Sequence, residues 1–167
     1  RVLDDMKNFG IRGPEACVYV GGNAKMNEFQ AAMGICNLRH VDEEIRKRGE
    51  AVAHYRRRLG NVAGLVLCAD QADVKPNYAY FPVVFDGYKY DRNQVFEMLK
   101  AEGIVARKYF YPLTDDVECY RDLPTAGADK TPVAKFLADR VLTLPLYPEL
   151  SMADVDRICD ILRENLT

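Results

Sequence analysis

The hydrophobic spacing of the chain changes at Gly60. Before it, Ile45, Val52, Tyr55 and Leu59 fall on one side of the stretch Asp42 to Leu59, and Glu43, Glu44, Arg46, Lys47 and Glu50 on the other. Apolar residues recurring every three to four positions opposite a charged face predict an amphipathic helix, and Gly60 supplies its stop. After Gly60, short β-prone runs alternate with helical stripes. Val62–Cys68 and Asn77–Asp86 predict strands, the second from its Tyr, Phe and Val content. Asp91 predicts the cap of a helix that ends near Gly103, and Val105–Phe110 reads as the next strand. If the strands flanking the Asp91 helix are parallel, their connection is right-handed; an antiparallel hairpin with Val62–Cys68 is the other topology.

Two more helices follow. Thr131-Pro132 is a cap with proline at the first helical position, and Val133, Phe136, Leu137 and Val141 form the expected buried stripe. Ser151 and Asp154 start a last helix whose stripe is Val155, Ile158, Cys159, Leu162 and Leu166. Between the two, Leu142 to Pro148 reads as a buried connector punctuated by Pro145 and Pro148. The whole predicts an α/β fold with a boundary near residue 60: a loop and helical segment over 1–60, and a β-α-β unit with added helices over 61–167.

The first 25 residues look irregular, because Gly10, Gly13, Pro14, Gly21 and Gly22 interrupt any long element; a short strand fits Ala16–Val20. Asn27 with Gln30 three residues on is a variant capping box. Phe29, Met33 and Cys36 then follow at helical spacing among Ala31, Ala32 and Gly34, small residues that let another backbone approach.

Composition narrows the function classes. The 167 residues can bury one core, or a small domain plus a remnant of another, and the start at Arg1 rather than Met predicts a fragment or processed piece. A net charge of −2 with no basic stripe argues against nucleic acid as a partner. No apolar run approaches the roughly 18 residues of a membrane helix, and residues 1–5 resemble no signal peptide. Cys17, Cys36, Cys68, Cys119 and Cys159 are scattered, without a C-x-x-C pair, which argues against a metal site and for reduced thiols in a cytoplasmic protein, used as small apolar packers. His40 and His54 read as partly exposed helix residues, and Asp115-Asp116 as a surface turn.

Two segments could carry chemistry. In Gly21-Gly22-Asn23-Ala24-Lys25-Met26-Asn27-Glu28, two glycines precede an amide and an ammonium at a helix entrance, where free N–H groups favour an anion. The simpler reading is a loop, a capped helix and a solvated Lys25. In Arg107-Lys108-Tyr109-Phe110-Tyr111-Pro112-Leu113, tyrosines at a strand end can stack on or hydrogen-bond a sugar while a cation meets a phosphate. The simpler reading is a strand burying alternate aromatics.

Read together, these segments resemble one family. The run from Gly21 to Ala32 matches the signature G-x-N-x-[RK]-M-x-E-x-Q-A-A of the DegT/DnrJ/EryC1/StrS family of nucleotide-sugar aminotransferases, which use pyridoxal 5′-phosphate. Asn8-Phe9-Gly10, Leu38, Arg48, Tyr55 and Leu59 also fit, as do Gly103-Ile104 with Lys108 to Leu113, and Arg140 to Leu146. The matches run in the family's order from residue 8 to about residue 166. Gly22 stands where the family often has Tyr; Lys108-Tyr109 and Thr114 stand where it often has His-Tyr and a later His, a variant similar to enzymes of dTDP-linked keto-deoxyhexoses.

The resemblance implies the small C-terminal domain of a fold-type I transferase (61–167), with the end of its large domain, a cofactor-phosphate loop and linking helices (1–60). It implies an enzyme of polysaccharide biosynthesis that moves an amino group from glutamate to a nucleotide-linked keto-deoxysugar, working as a homodimer. Asn23 stands where the family's Asn reaches the cofactor phosphate of the partner subunit, and Lys25 where it has Arg or Lys near the same phosphates. Tyr109 and Tyr111, with Lys108 beside them, stand in the segment bordering the sugar nucleotide. The Schiff-base lysine falls upstream of Arg1 in the family's order, so no residue of this chain is assigned as catalytic and the chain alone is expected to be inactive. Two rivals stand beside this reading: a dehydratase of the same family, in which His replaces that lysine, and a stand-alone α/β binding module. Exposed apolar surface on the Phe29, Met33 and Cys36 helix would separate the fragment from the module.

Overall fold

The computed structural model describes residues 1–14, 16–127 and 129–164. Its elements are α1 (Val2–Lys7), β1 (Ile11–Arg12), β2 (Ala16–Cys17), α2 (Glu28–Leu38), α3 (Val41–Leu59), β3 (Leu65–Leu67), β4 (Phe81–Phe85), α4 (Arg92–Ala101), α5 (Pro132–Arg140), β5 (Val141–Leu144) and α6 (Met152–Glu164), with a 3-10 turn at Thr114–Asp116. The α/β expectation holds. The chain divides into two units between Asp42 and Glu43. The sequence put the boundary near residue 60; α3 instead joins the second unit, because its Ala51, Val52, Tyr55 and Leu59 are buried in that unit's core.

In the first unit, α1 is an element the glycine-rich sequence concealed. Six residues without a side-chain cap give a weak signal, and acidic Asp4 and Asp5 in its first turn and Lys7 in its last suit the helix dipole. β1 and β2 pair antiparallel through Ile11–Cys17 and Arg12–Ala16, so the expected strand is shorter than Ala16–Val20. Gly10 and Gly21 are needed where two backbone segments cross. A Cβ on Gly10 would stand 1.8 Å from the Tyr19 carbonyl oxygen, and one on Gly21 2.3 Å from the Gly10 nitrogen. The capping box at α2 forms as expected: Asn27 Oδ1 accepts from the Gln30 amide at 2.8 Å, and Gln30 Oε1 accepts from the Asn27 amide at 3.0 Å. No residue of α2 is buried. Phe29 is 86% exposed, and Met33 and Cys36 are exposed with it.

In the second unit, β3, β4 and β5 form an antiparallel sheet with β4 in the middle. The alternation of β4 puts Phe81, Val83 and Phe85 on the buried face. That face meets Tyr55 and Leu59 of α3, Val95 and Leu99 of α4, and Val155, Ile158, Cys159 and Leu162 of α6 in one apolar cluster. The α6 stripe is as expected over these residues; Leu166 lies outside the described residues. Pro82 pairs with Thr143 on β5 but lies past the last β3 pair, Leu67–Val83, so its missing N–H costs no β3–β4 bond.

Four expectations differ from the structure. The antiparallel hairpin of β3 and β4 forms, and Val105–Phe110 is not a strand. Only Arg107 pairs, exchanging backbone bonds with Thr143 of 3.0 and 2.8 Å, before the chain turns towards Pro112. The segment read as a connector contains β5, all four of whose residues are buried. A strand covered on both faces shows a continuous apolar run without alternation, which hid it. Val141 therefore belongs to β5, and the rest of the α5 stripe, Val133, Phe136 and Leu137, is exposed; Ala138 is the buried residue of that helix. The cysteines are not packers as a group, since four are exposed and Cys159 is buried. Among the described residues no helix is long and apolar enough to cross a membrane.

Candidate functional site

In the first unit, Asn23 does not sit on the α2 N-terminus. It lies in an extended segment whose backbone pairs with Asn8 in an antiparallel bridge. The amides on either side are already used: Gly22 donates to Met6 O at 3.0 Å and Ala24 to Lys7 O at 2.9 Å. The α2 start is likewise closed by its own capping box. What the segment leaves free is the exposed Asn23 side chain, which has no hydrogen-bond partner among the described residues. Lys25 Nζ donates to Asn8 Oδ1 at 2.9 Å and lies 5.4 Å from the centre of the Phe9 ring. Asn8 and Phe9, which the sequence placed only as neighbours of the glycine run, therefore hold Lys25 in place.

In the second unit, the three residues Lys108, Tyr109 and Tyr111 are parted rather than gathered. Tyr109 stacks at a tilt on Tyr80, centroids 5.1 Å apart, and Arg107 lies 5.9 Å from its ring centre. The hydrogen bond of the Tyr80 hydroxyl to Tyr109 holds its proton and raises the phenol pKa above its ordinary value. Tyr80 and Arg107 border an open cavity of about 370 Å³ that Pro145, Leu146 and Tyr147 also line. That volume is at the small end for a ligand pocket. Lys108 points elsewhere, with Nζ 4.6 Å from the Phe96 ring centre on α4. Tyr111 lies under the Arg92 guanidinium at 4.8 Å.

Tyr80, Phe96 and Arg92 escaped the sequence reading. Arg92 follows the Asp91 cap directly and looked like an ordinary first-turn residue. Its signal, a cation on the same helix face as Val95 and Phe96, was present but carries little weight alone. It is 3% exposed, and burial lowers its pKa, opposed by Tyr111, Asp139 and Asp91.

The sequence model of the DegT/DnrJ/EryC1/StrS aminotransferase family matches residues 3–163. The chain belongs to this family. A family relative from Escherichia coli, dTDP-4-amino-4,6-dideoxy-D-glucose transaminase, is 38% identical over 161 residues, covering 96% of this chain and 43% of that protein. A Shigella dysenteriae protein of the same name is 32% identical over 97% of this chain and 44% of its own length. Among solved structures, DesI, determined in the presence of its TDP-sugar product, superposes with a TM-score of 0.80 at 34% identity, over 97% of this chain and 41% of DesI. DesV of S. venezuelae gives a TM-score of 0.83 at 26% identity, over 97% and 42%. The fold is thus that of part of a fold-type I sugar aminotransferase, and the chain spans about two fifths of the length of these relatives.

Proposed function

We propose that this chain is the C-terminal portion of a pyridoxal phosphate-dependent aminotransferase that moves an amino group from glutamate to a nucleotide-linked keto-deoxysugar. The observation that carries the reading is the match along nearly the whole chain to proteins named as dTDP-sugar transaminases. Those names favour amino transfer over the dehydratase alternative. The bare apolar face of α2 supports a piece of a larger protein over a self-contained module.

The residues fit the phosphate end of the cofactor. The Asn23 side chain is a free amide donor, and the Lys25 ammonium keeps donors beyond the one spent on Asn8. Asn23 would hold a phosphate oxygen of the partner subunit's cofactor in a homodimer, with Lys25 supplying charge nearby. When bound, pyridoxal phosphate supplies the electron sink that lets an amino group change carrier. In the second unit, Tyr109 on Tyr80 and Tyr111 under Arg92 would each meet the sugar nucleotide, and Lys108, held over Phe96, would add a cation to the same segment. In this reading the first unit, up to Asp42, ends the large domain and the second, with α3 in its core, forms the small one, in a cytoplasmic enzyme; the free thiols suit a reducing compartment.

The test is direct. The full-length protein, supplied with cofactor, glutamate and a dTDP-linked 4-keto-6-deoxyhexose, should yield the amino sugar by mass spectrometry. The 167-residue chain alone should yield none. A full-length protein that releases a deoxygenated sugar and no amino sugar would sink the reading.

A further inference from the structure

Arg92 is a buried cation with no carboxylate at ion-pair distance among the described residues. A guanidinium in that position must place its N–H groups on other acceptors. It does so on three oxygens: its Nη1 donates to Ala138 O at 2.9 Å and Val141 O at 3.2 Å, and its Nε to Asn93 Oδ1 at 3.1 Å. The first two are carbonyls where α5 ends and β5 begins, the negative end of a helix dipole. This fixes the plane of the guanidinium, and the Tyr111 ring lies against it at 4.8 Å. One turn along the same face of α4, Phe96 receives Lys108 at 4.6 Å. Two cation–ring contacts of opposite sense therefore hold both ends of the Lys108–Tyr111 segment on α4.

Tyr111 is 48% exposed, and its hydroxyl has no hydrogen-bond partner among the described residues. Among the described residues no other cation or ring stacks on it besides the guanidinium. A cation stripped of water holds a ring face more firmly than an exposed one. We propose that Arg92 is a positioning residue: it touches no substrate itself but sets the orientation of Tyr111 as a substrate-facing ring. This rests on the reading that Tyr111 borders the sugar nucleotide. A lysine at 92 would keep the charge but not the planar group that places Nη1 on two carbonyls, Nε on Asn93 and its face on a ring together.

The test uses the full-length protein labelled with 3-fluorotyrosine, with the Tyr111 resonance assigned by Tyr111→Phe, and dTDP-glucose as a binding probe in calorimetry. Arg92→Lys should shift the Tyr111 resonance. Arg92→Met and Tyr111→Leu should each weaken the probe by about tenfold, with Arg92→Lys between them and wild type. The double variant should be no weaker than either single one, because both remove the same contact. A Tyr111 resonance unmoved in Arg92→Lys overturns the proposal, whether or not Arg92→Met folds. So does a moved resonance with additive losses of affinity. Failure of the wider reading looks different: the wild type itself does not bind the probe although the resonance moves, and the positioning role falls with the substrate wall.

Discussion

The Tyr55 hydroxyl donates to the backbone carbonyl of Pro145 at 3.0 Å, while its ring stacks on Phe81 with centroids 4.7 Å apart. One side chain thus ties α3 to the middle strand and to the segment that follows β5. Burial raises the phenol pKa far above its ordinary value, so the group stays a neutral donor. Tyr55→Phe keeps the stack and strands a carbonyl. It should destabilise the fold by about 1 kcal/mol, and Tyr55→Ala by about 3–5 kcal/mol, in urea unfolding. Equal losses for the two would show that the ring contributes nothing.

Two glycines should respond very unequally. Gly64 has φ +79°, and a Cβ there would lie 2.1 Å from the Tyr88 nitrogen, so Gly64→Ala should cost more than about 1 kcal/mol and disturb the β3–β4 hairpin. Gly22 has nothing within 4 Å of such an atom. Gly22→Tyr, the residue the family often carries, should change stability by no more than about 0.5 kcal/mol. Thermal melts of the two variants decide it.

The thiols should separate by reactivity. Burial pushes the Cys159 pKa up to about 12, whereas Cys17, Cys36, Cys68 and Cys119 are exposed. Since the thiolate is the reacting form, iodoacetamide at pH 8 should label the last four in the native chain and reach Cys159 only in denaturant. Native labelling of Cys159, read by peptide mass, would contradict the packing of α6.

The ion cluster between α3 and α6 sets a pH dependence. Asp156 accepts from His54 Nε2 at 2.7 Å and pairs with Arg58, which also meets Asp160. The His54 hydrogen bond, then the nearby charges, hold the Asp156 pKa below its ordinary 3.8. A depressed acid stabilises the fold above its unfolded pKa and loses that contribution as pH falls through the folded value. Asp156→Asn should therefore be less stable than wild type at pH 6, with the gap closing below pH 3.8. A gap that persists at lower pH would assign the loss to packing.

Legibility in the sequence followed how much each signal depended on local chemistry. The caps at Asn27, Asp91 and Ser151 were readable because a side chain bonds an amide two or three residues away. Thr131 occupies the expected cap position, but its hydroxyl donates to Asp115 at 2.7 Å, a partner no local pattern reveals. β5 was missed because burial on both faces erased its period. The candidate residues were legible by type; that Lys108 turns to Phe96 and Tyr111 to Arg92 depends on α4, which is brought beside them only by the fold.

The middle strand of the main sheet has neighbours of very different age in a growing polypeptide. β3 precedes β4 closely, so that hairpin can close early, but β5 ends at Leu144 and α6 follows it. As the chain leaves the ribosome, Phe81 and Val83 wait without Leu144 and Leu142 opposite them, and the sheet is completed only once Val141–Leu144 has emerged, more than fifty residues after β4.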